Sequence, residues 1–137
     1  MTALGAKAAL VGAMEARGWA ERPPPQIGAL SAYLQRDGVG MTLHFTSFRA
    51  ALSLIFISKP ARGKGLFRPA MGDLVASADE AGLRLTLCVV PMLSGGPDTG
   101  TMIRLYSEFG FEACGQGPDG EPLMARAPGG PAGELAP

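Results

Sequence analysis

The sequence predicts an α/β (α+β) fold on a central sheet of mixed direction, and three observations carry that expectation. Two apolar runs, "RAALSLIFIS" at 49–58 and "LRLTLCVV" at 83–90, have strand composition, and segments of helical periodicity lie between and around them. The strand–helix–strand unit they make must be a right-handed crossover joining parallel neighbours. Short turns elsewhere join strands too closely for anything but antiparallel hairpins. The 137 residues suffice for one domain with one core, expected over 1–127. The last residues, 128–137, read "PGGPAGELAP"; they have nothing to bury and are expected to be a disordered tail.

A first helix is expected from Thr2 to Arg17, with Leu4, Ala8 and Val11 on its apolar face and Gly18 as its stop. After the break at "ERPPP", a second helix is expected from Gln26 to Gln35. Ile27, Leu30 and Leu34 have helical spacing there, and Asp37-Gly38 would close it. "GMTLHFTSF" then alternates Met41, Leu43 and Phe45 with Thr42, His44 and Thr46, the pattern of a half-buried strand. A hairpin through 47–49 leads into 49–58, read as a strand buried on both faces. A Gly-rich turn precedes a helix over 66–81, whose stripe is Leu66, Ala70, Leu74 and Ala78 and whose stop is Gly82. The buried strand 83–90 follows, then a loop over 91–100 and a helix over 101–109 ended by Gly110. Residues 111–127 read as two strands joined at Pro118-Asp119-Gly120.

Composition excludes several functional classes. Net charge is zero and 47% of residues are apolar, which argues against a disordered chain and against a basic nucleic-acid binder. No apolar run approaches the roughly 18 residues of a membrane span. Lys7 and the alternating charges of "VGAMEARG" are unlike an export signal, so the amino terminus reads as a helix of a soluble, cytoplasmic protein. Cys88 and Cys114 have no metal-binding or redox spacing; they read as buried free thiols, and no metal site is expected.

The stretch "ISKPARGKGLF" at 57–67 places two glycines and two cations where a strand meets a helix. It does not fit a P-loop, because Lys59 stands at the first glycine position and Gly65 follows Lys64. It does not fit the dinucleotide fingerprint either, since Arg68 replaces the third glycine. What remains is an anion site made of successive backbone N–H groups at a helix start, with charge from Arg62 and Lys64. An ordinary strand-to-helix turn with solvated charges would look the same.

A second segment, "YSEFGF" at 106–111, decides more. "RGKGLF" at 62–67, then a helix, a strand and a helix ending in Tyr106-x-x-x-Gly110-Phe111, resembles the GNAT superfamily of acyl-CoA-dependent N-acetyltransferases over about 39–127. The resemblance implies a GNAT-like mixed sheet with helices on both faces, here with two amino-terminal helices, a shortened first half and no evident first strand. It implies acetyl-CoA as co-substrate and direct acetyl transfer to an amine whose identity the chain does not reveal. Amides from Arg62, Gly63, Lys64, Gly65, Leu66 and Phe67 would hold the pyrophosphate. A backbone N–H at Ile57 or Ser58 would polarise the thioester carbonyl, and Tyr106 would protonate the departing thiolate. Thr99 stands where the family often has Asn, to bind the cofactor or cap the helix. Phe67 departs from the family's small residue, so a catalytically inactive GNAT-like interaction or accessory protein is the alternative. No membrane or direct nucleic-acid partner is implied, and a homodimer is compatible with the resemblance. His44 and Glu108 read as surface residues rather than as a general base, and Trp19 and Tyr33 as core or staple residues rather than an acceptor pocket.

Overall fold

The computed structural model describes residues 2–22, 28–58, 63–89, 98–118 and 120–129. Helix α1 (Ala3–Glu15) starts at Thr2, whose hydroxyl accepts the Gly5 N–H at 3.0 Å. Its buried face is Ala6, Leu10, Val11 and Met14, so the helix is rotated from the expected stripe and Leu4 faces solvent. Strands β1 (Ala20–Glu21), β2 (Ser31–Arg36), β3 (Val39–Thr46) and β4 (Arg49–Ile57) form an antiparallel meander. Then come α2 (Phe67–Ala81), β5 (Arg84–Cys88), α3 (Thr99–Ser107), β6 (Glu112–Gln116) and β7 (Pro122–Arg126). Among the described residues seven strands lie in one sheet, ordered β1-β2-β3-β4-β5-β7-β6, with β4–β5 its parallel pair. One apolar cluster joins the helices to the sheet.

The α/β class and mixed sheet stand, but four expected details change. The helix expected over 26–35 is replaced by strand β2 at 31–36. Ala32 and Leu34 point into the core and Tyr33 and Gln35 away from it. Asp37 (φ 48°) and Gly38 (φ 84°) are not a helix end; they are the two left-handed residues of a tight β2–β3 hairpin. Second, α1, α2 and the end of α3 all meet the same sheet face. Helices α1 and α2 pack side by side on it, and α3 joins them through Phe67–Tyr106 and Arg126–Phe109 contacts. Third, β4 is therefore buried on one face: Ala50, Leu52 and Ile55 are in the core, while Phe56 is 43% exposed. Fourth, Cys88 and Cys114 are exposed, Cys88 because its strand neighbour Leu87 takes the core-facing position and Cys114 because it lies on edge strand β6. No helix among the described residues is long and apolar enough to cross a membrane.

The far side of the sheet is fixed to the helices by one buried cation. Arg126 of β7 is 4% exposed; it donates from two nitrogens to Asp79 of α2 at 2.6 and 3.0 Å and from Nε to the Phe109 carbonyl at 2.7 Å. Gly129 N–H donates to the same Asp79 carboxylate at 2.7 Å, so the first residues of the expected tail are anchored; 130–137 lie outside the described residues. Burial alone would raise the Asp79 pKa, but the Arg126 and Gly129 hydrogen bonds and the Arg126 charge outweigh it and hold the carboxyl below its usual range. A depressed carboxyl contributes stability above the unfolded value of about 3.9, and that contribution is lost as pH falls through the lower folded value. Asp79→Asn is expected to cost about 3 kcal/mol at neutral pH, the low end for stranding a buried partner because Asp79 is half-buried. Urea unfolding at pH 7 and in acid checks this: the difference between wild type and variant should shrink in acid.

Candidate functional site

Strand β4 has different neighbours along its two edges. It pairs with β3 as far as Val39↔Ile57, but its parallel ladder with β5 ends at Leu52↔Leu87. The cause is local: the β3–β4 register shifts at Thr42/Leu43, leaving Ser53 as an extra residue in β4. Such a bulge bends and twists its strand. Beyond it, Ser58 donates its N–H to the Gly38 carbonyl at 2.8 Å. With Val39 opposite Ile57, that bond turns the Phe56 and Ser58 backbone groups towards β3 and those of Ile55 and Ile57 towards the β5 side.

The start of α2 faces the same end of β4. Gly63 (φ 78°) and Gly65 (φ 69°) are left-handed, and Leu66 returns to right-handed backbone (φ −81°, ψ −18°). A left-handed residue followed by a right-handed one turns successive N–H groups to one side, the geometry of an anion nest. Among the described residues nothing stands within 4 Å of where a Cβ on Gly63 or Gly65 would be, so they leave the space above both open. Helices α1 and α3 are capped by Thr2 and Asp98, whereas no side chain caps α2 and no acidic residue lies in its first turn. These features fit a bound anion. Lys64 is exposed beside them; Arg62 lies outside the described residues.

Tyr106 of α3 is 6% exposed, with its ring edge-on to Phe67 and to Phe111, each at 5.8 Å between centroids. Burial pushes its pKa up to about 12, so the phenol is neutral throughout the ordinary pH range. Phe67 is the first residue of α2, and its ring lies against α3, touching Phe109 at 6.4 Å as well as Tyr106. Beside it, Arg68 and Glu108 form an exposed ion pair. The turn and the tyrosine, forty residues apart in the chain, are thus in contact through one phenylalanine.

The described backbone was compared with solved structures. A Klebsiella pneumoniae subsp. pneumoniae protein, provisionally named an acyl-CoA N-acyltransferase, superposes with a TM-score of 0.55 at 17% identity, over 90% of each chain. The ribosomal-protein-S18-alanine N-acetyltransferase of Escherichia coli matches with a TM-score of 0.52 and 20% identity, over 72% of this chain and 68% of that one. The PaiA N-acetyltransferase of Thermoplasma acidophilum, in complex with coenzyme A, gives a TM-score of 0.52 at 13% identity, over 72% of this chain and 60% of that one. The chain has the GNAT fold. No family model matches the sequence, and a search of the curated proteins finds no match.

Within the GNAT fold, the expected site residues sort into three groups. Gly63, Lys64, Gly65, Leu66 and Phe67 share the α2 start, Ile57 presents its backbone to the β5 side, and Tyr106 adjoins Phe67. Ser58 is corrected, because its N–H is committed to Gly38. Thr99 is corrected as the cap: Asp98 is the N-cap, accepting from Thr101 N–H at 2.7 Å, and Thr99 is the first helical residue. Ile55 was missed; the signal for it was Ser53, a polar residue interrupting an apolar run. His44 is exposed and hydrogen-bonded to Ser31 at 3.0 Å, and Glu108 is held by Arg68. Trp19 is a buried staple: its Nε1 donates to Asp73 at 3.1 Å, and Arg36 stacks on its ring at 4.6 Å. Tyr33 lies across Gly40, where even a Cβ would stand 2.3 Å from its hydroxyl.

The Tyr106 environment has a direct optical test. The chain has two tyrosines, and tyrosinate absorbance should show one of them ionising only near pH 12 in the folded protein. Its folded pKa is raised above the unfolded value of about 10, so the contribution is complete below pH 10 and is lost as pH rises towards 12, by roughly 2 to 3 kcal/mol. Tyr106→Phe should remove the late step; its absence from the wild-type titration would contradict the burial.

Proposed function

We propose that this protein is an N-acetyltransferase that moves the acetyl group of acetyl-CoA directly to an amine of a small molecule or a protein, acting in the cytoplasm. The observation that carries the reading is the early end of the β4–β5 ladder at Leu52↔Leu87, facing a helix start that no side chain caps. Acetyl-CoA would bring an activated acyl group as a thioester. Amides from Gly63 to Phe67 suit its pyrophosphate, with Lys64 and Arg62 adding charge. The Ile55 N–H suits the carbonyl oxygen, where charge develops as the amine attacks. As the carbon–nitrogen bond forms and the carbon–sulfur bond breaks, the neutral Tyr106 phenol is the group suited to give the sulfur a proton. A thiolate whose thiol has a pKa near 8.5 is a weaker base than a phenolate at about 12, so the transfer is uphill by itself. The phenol would act late, hydrogen-bonding the charge that builds on sulfur, and the proton lost by the attacking amine would offset the one it gives. Cys88 lies on the sheet face away from the helices and takes no part.

One observation favours a second reading. Phe67 covers an edge of Tyr106, and a fixed ring there would keep a thiol from the phenol and leave a binding or accessory protein with the GNAT fold. Thermal denaturation with acetyl-CoA separates the two. Saturation at a hundredfold excess over Kd should stabilise the protein by about 2.7 kcal/mol. Gly65→Glu should abolish that shift while the protein still folds, because the added side chain meets open space and the left-handed backbone costs only about 1–2 kcal/mol. In CoA-release assays over an amine panel, Tyr106→Phe should lower kcat by about a hundredfold or more with little change in acetyl-CoA affinity. Binding without turnover of any amine, or no thermal shift at all, would favour the second reading.

A further inference from the structure

The sheet carries another constellation at its opposite end. An open cleft of about 420 Å³ is lined by Thr46, Ser47, Phe48, Arg49, Arg84 and Pro128, among others. Arg49 and Arg84 begin β4 and β5 and are direct partners in the parallel ladder, so their side chains leave the same sheet face. Neither guanidinium has a carboxylate within ion-pair distance among the described residues, and like charges on facing strand positions repel. Phe48 lines the same cleft, 55% exposed and held at φ 62°, a left-handed position that a bulky residue enters only with strain. Arg84 N–H donates to the Phe48 carbonyl at 2.9 Å, which fixes the hairpin tip against β5. A repelling cation pair, a strained turn and an exposed ring at one place are each unfavourable for folding alone. A ligand that neutralises the pair and covers the ring would account for all three.

We propose that this cleft is a second binding site, for a phosphate monoester joined to a flat apolar ring. The charge fixes the first half of that description, since two guanidiniums match a dianion better than a single carboxylate. Phe48 and Pro128 supply the apolar walls for the second half, and Thr46 and Ser47 add polar lining to the same cleft. Eight residue steps of β4, about 26 Å, separate Arg49 from Ile57, so the ligand is neither acyl donor nor acceptor. The site stands whether or not the chain transfers acetyl groups.

Amide NMR titrations of the intact chain with phenyl phosphate, inorganic phosphate and benzoate test it. Phenyl phosphate should shift the Phe48, Arg49 and Arg84 amides and bind more tightly than either of the other two. Arg49→Ser and Arg84→Ser should each weaken it by about tenfold, as expected for loss of a charge-assisted hydrogen bond. Phe48→Gly should raise the melting temperature, by relieving the left-handed strain, while reducing phenyl phosphate to the affinity of inorganic phosphate. Shifts confined to the α2 start, benzoate binding as tightly as phenyl phosphate, or an unchanged affinity in Arg84→Ser would each overturn the proposal.

Discussion

Strand β4 is hydrogen-bonded to β3 along its whole length but to β5 only as far as Leu52, and the candidate site depends on that asymmetry. The extra residue at Ser53 bends the strand away from β5 without breaking its hold on β3. Past that point the Ile55 and Ile57 backbone groups face the β5 side. The same divergence leaves room for the start of α2, whose amides have no side-chain cap. An ungapped sheet would extend the β5 ladder along this stretch and close the space beside the start of α2.

Placing a tyrosine against that opening falls to contacts further along the chain. Arg126 holds β7, the Asp79 turn of α2 and the Phe109 carbonyl in one hydrogen-bonded node. With α2 and the end of α3 thus fixed, Phe67, Tyr106, Phe109 and Phe111 close into an aromatic cluster between them. The cluster desolvates Tyr106 and keeps it neutral. Phe67 is therefore part of the packing that sets the tyrosine's chemistry. Its bulk is directed towards α3 rather than left over the glycines.

Much of this was legible in the sequence, for physical reasons that differ from element to element. Alternation of Met41, Leu43 and Phe45 against threonines and His44 defined β3, and the stripe of Ala70, Leu74 and Ala78 defined α2. Both patterns are long enough to exclude the other period. Strand β2 was obscured because Leu30 and Leu34 stand at helical spacing by chance, and because Asp-Gly serves equally as a helix end and a hairpin turn. Alternation of Ala32 and Leu34 with Tyr33 and Gln35 was the competing signal, and pairing with β3 decided it. Within the site, the glycines and Tyr106 were readable by residue type. The choices between Ser58 and Ile55, and between Thr99 and Asp98, were not, because they rest on which way a backbone group points. A one-residue bulge reverses that direction and leaves only a lone serine as its trace.

The most direct test of the central claim, that the split edge of β4 and the open start of α2 form one cofactor cradle, is amide hydrogen exchange with and without coenzyme A. Saturating coenzyme A should slow exchange together at Ile55 and the amides from Gly63 to Arg68, and leave the β2–β3 hairpin unchanged. Protection of the α2 start without any at Ile55, or protection elsewhere in the sheet, would contradict it.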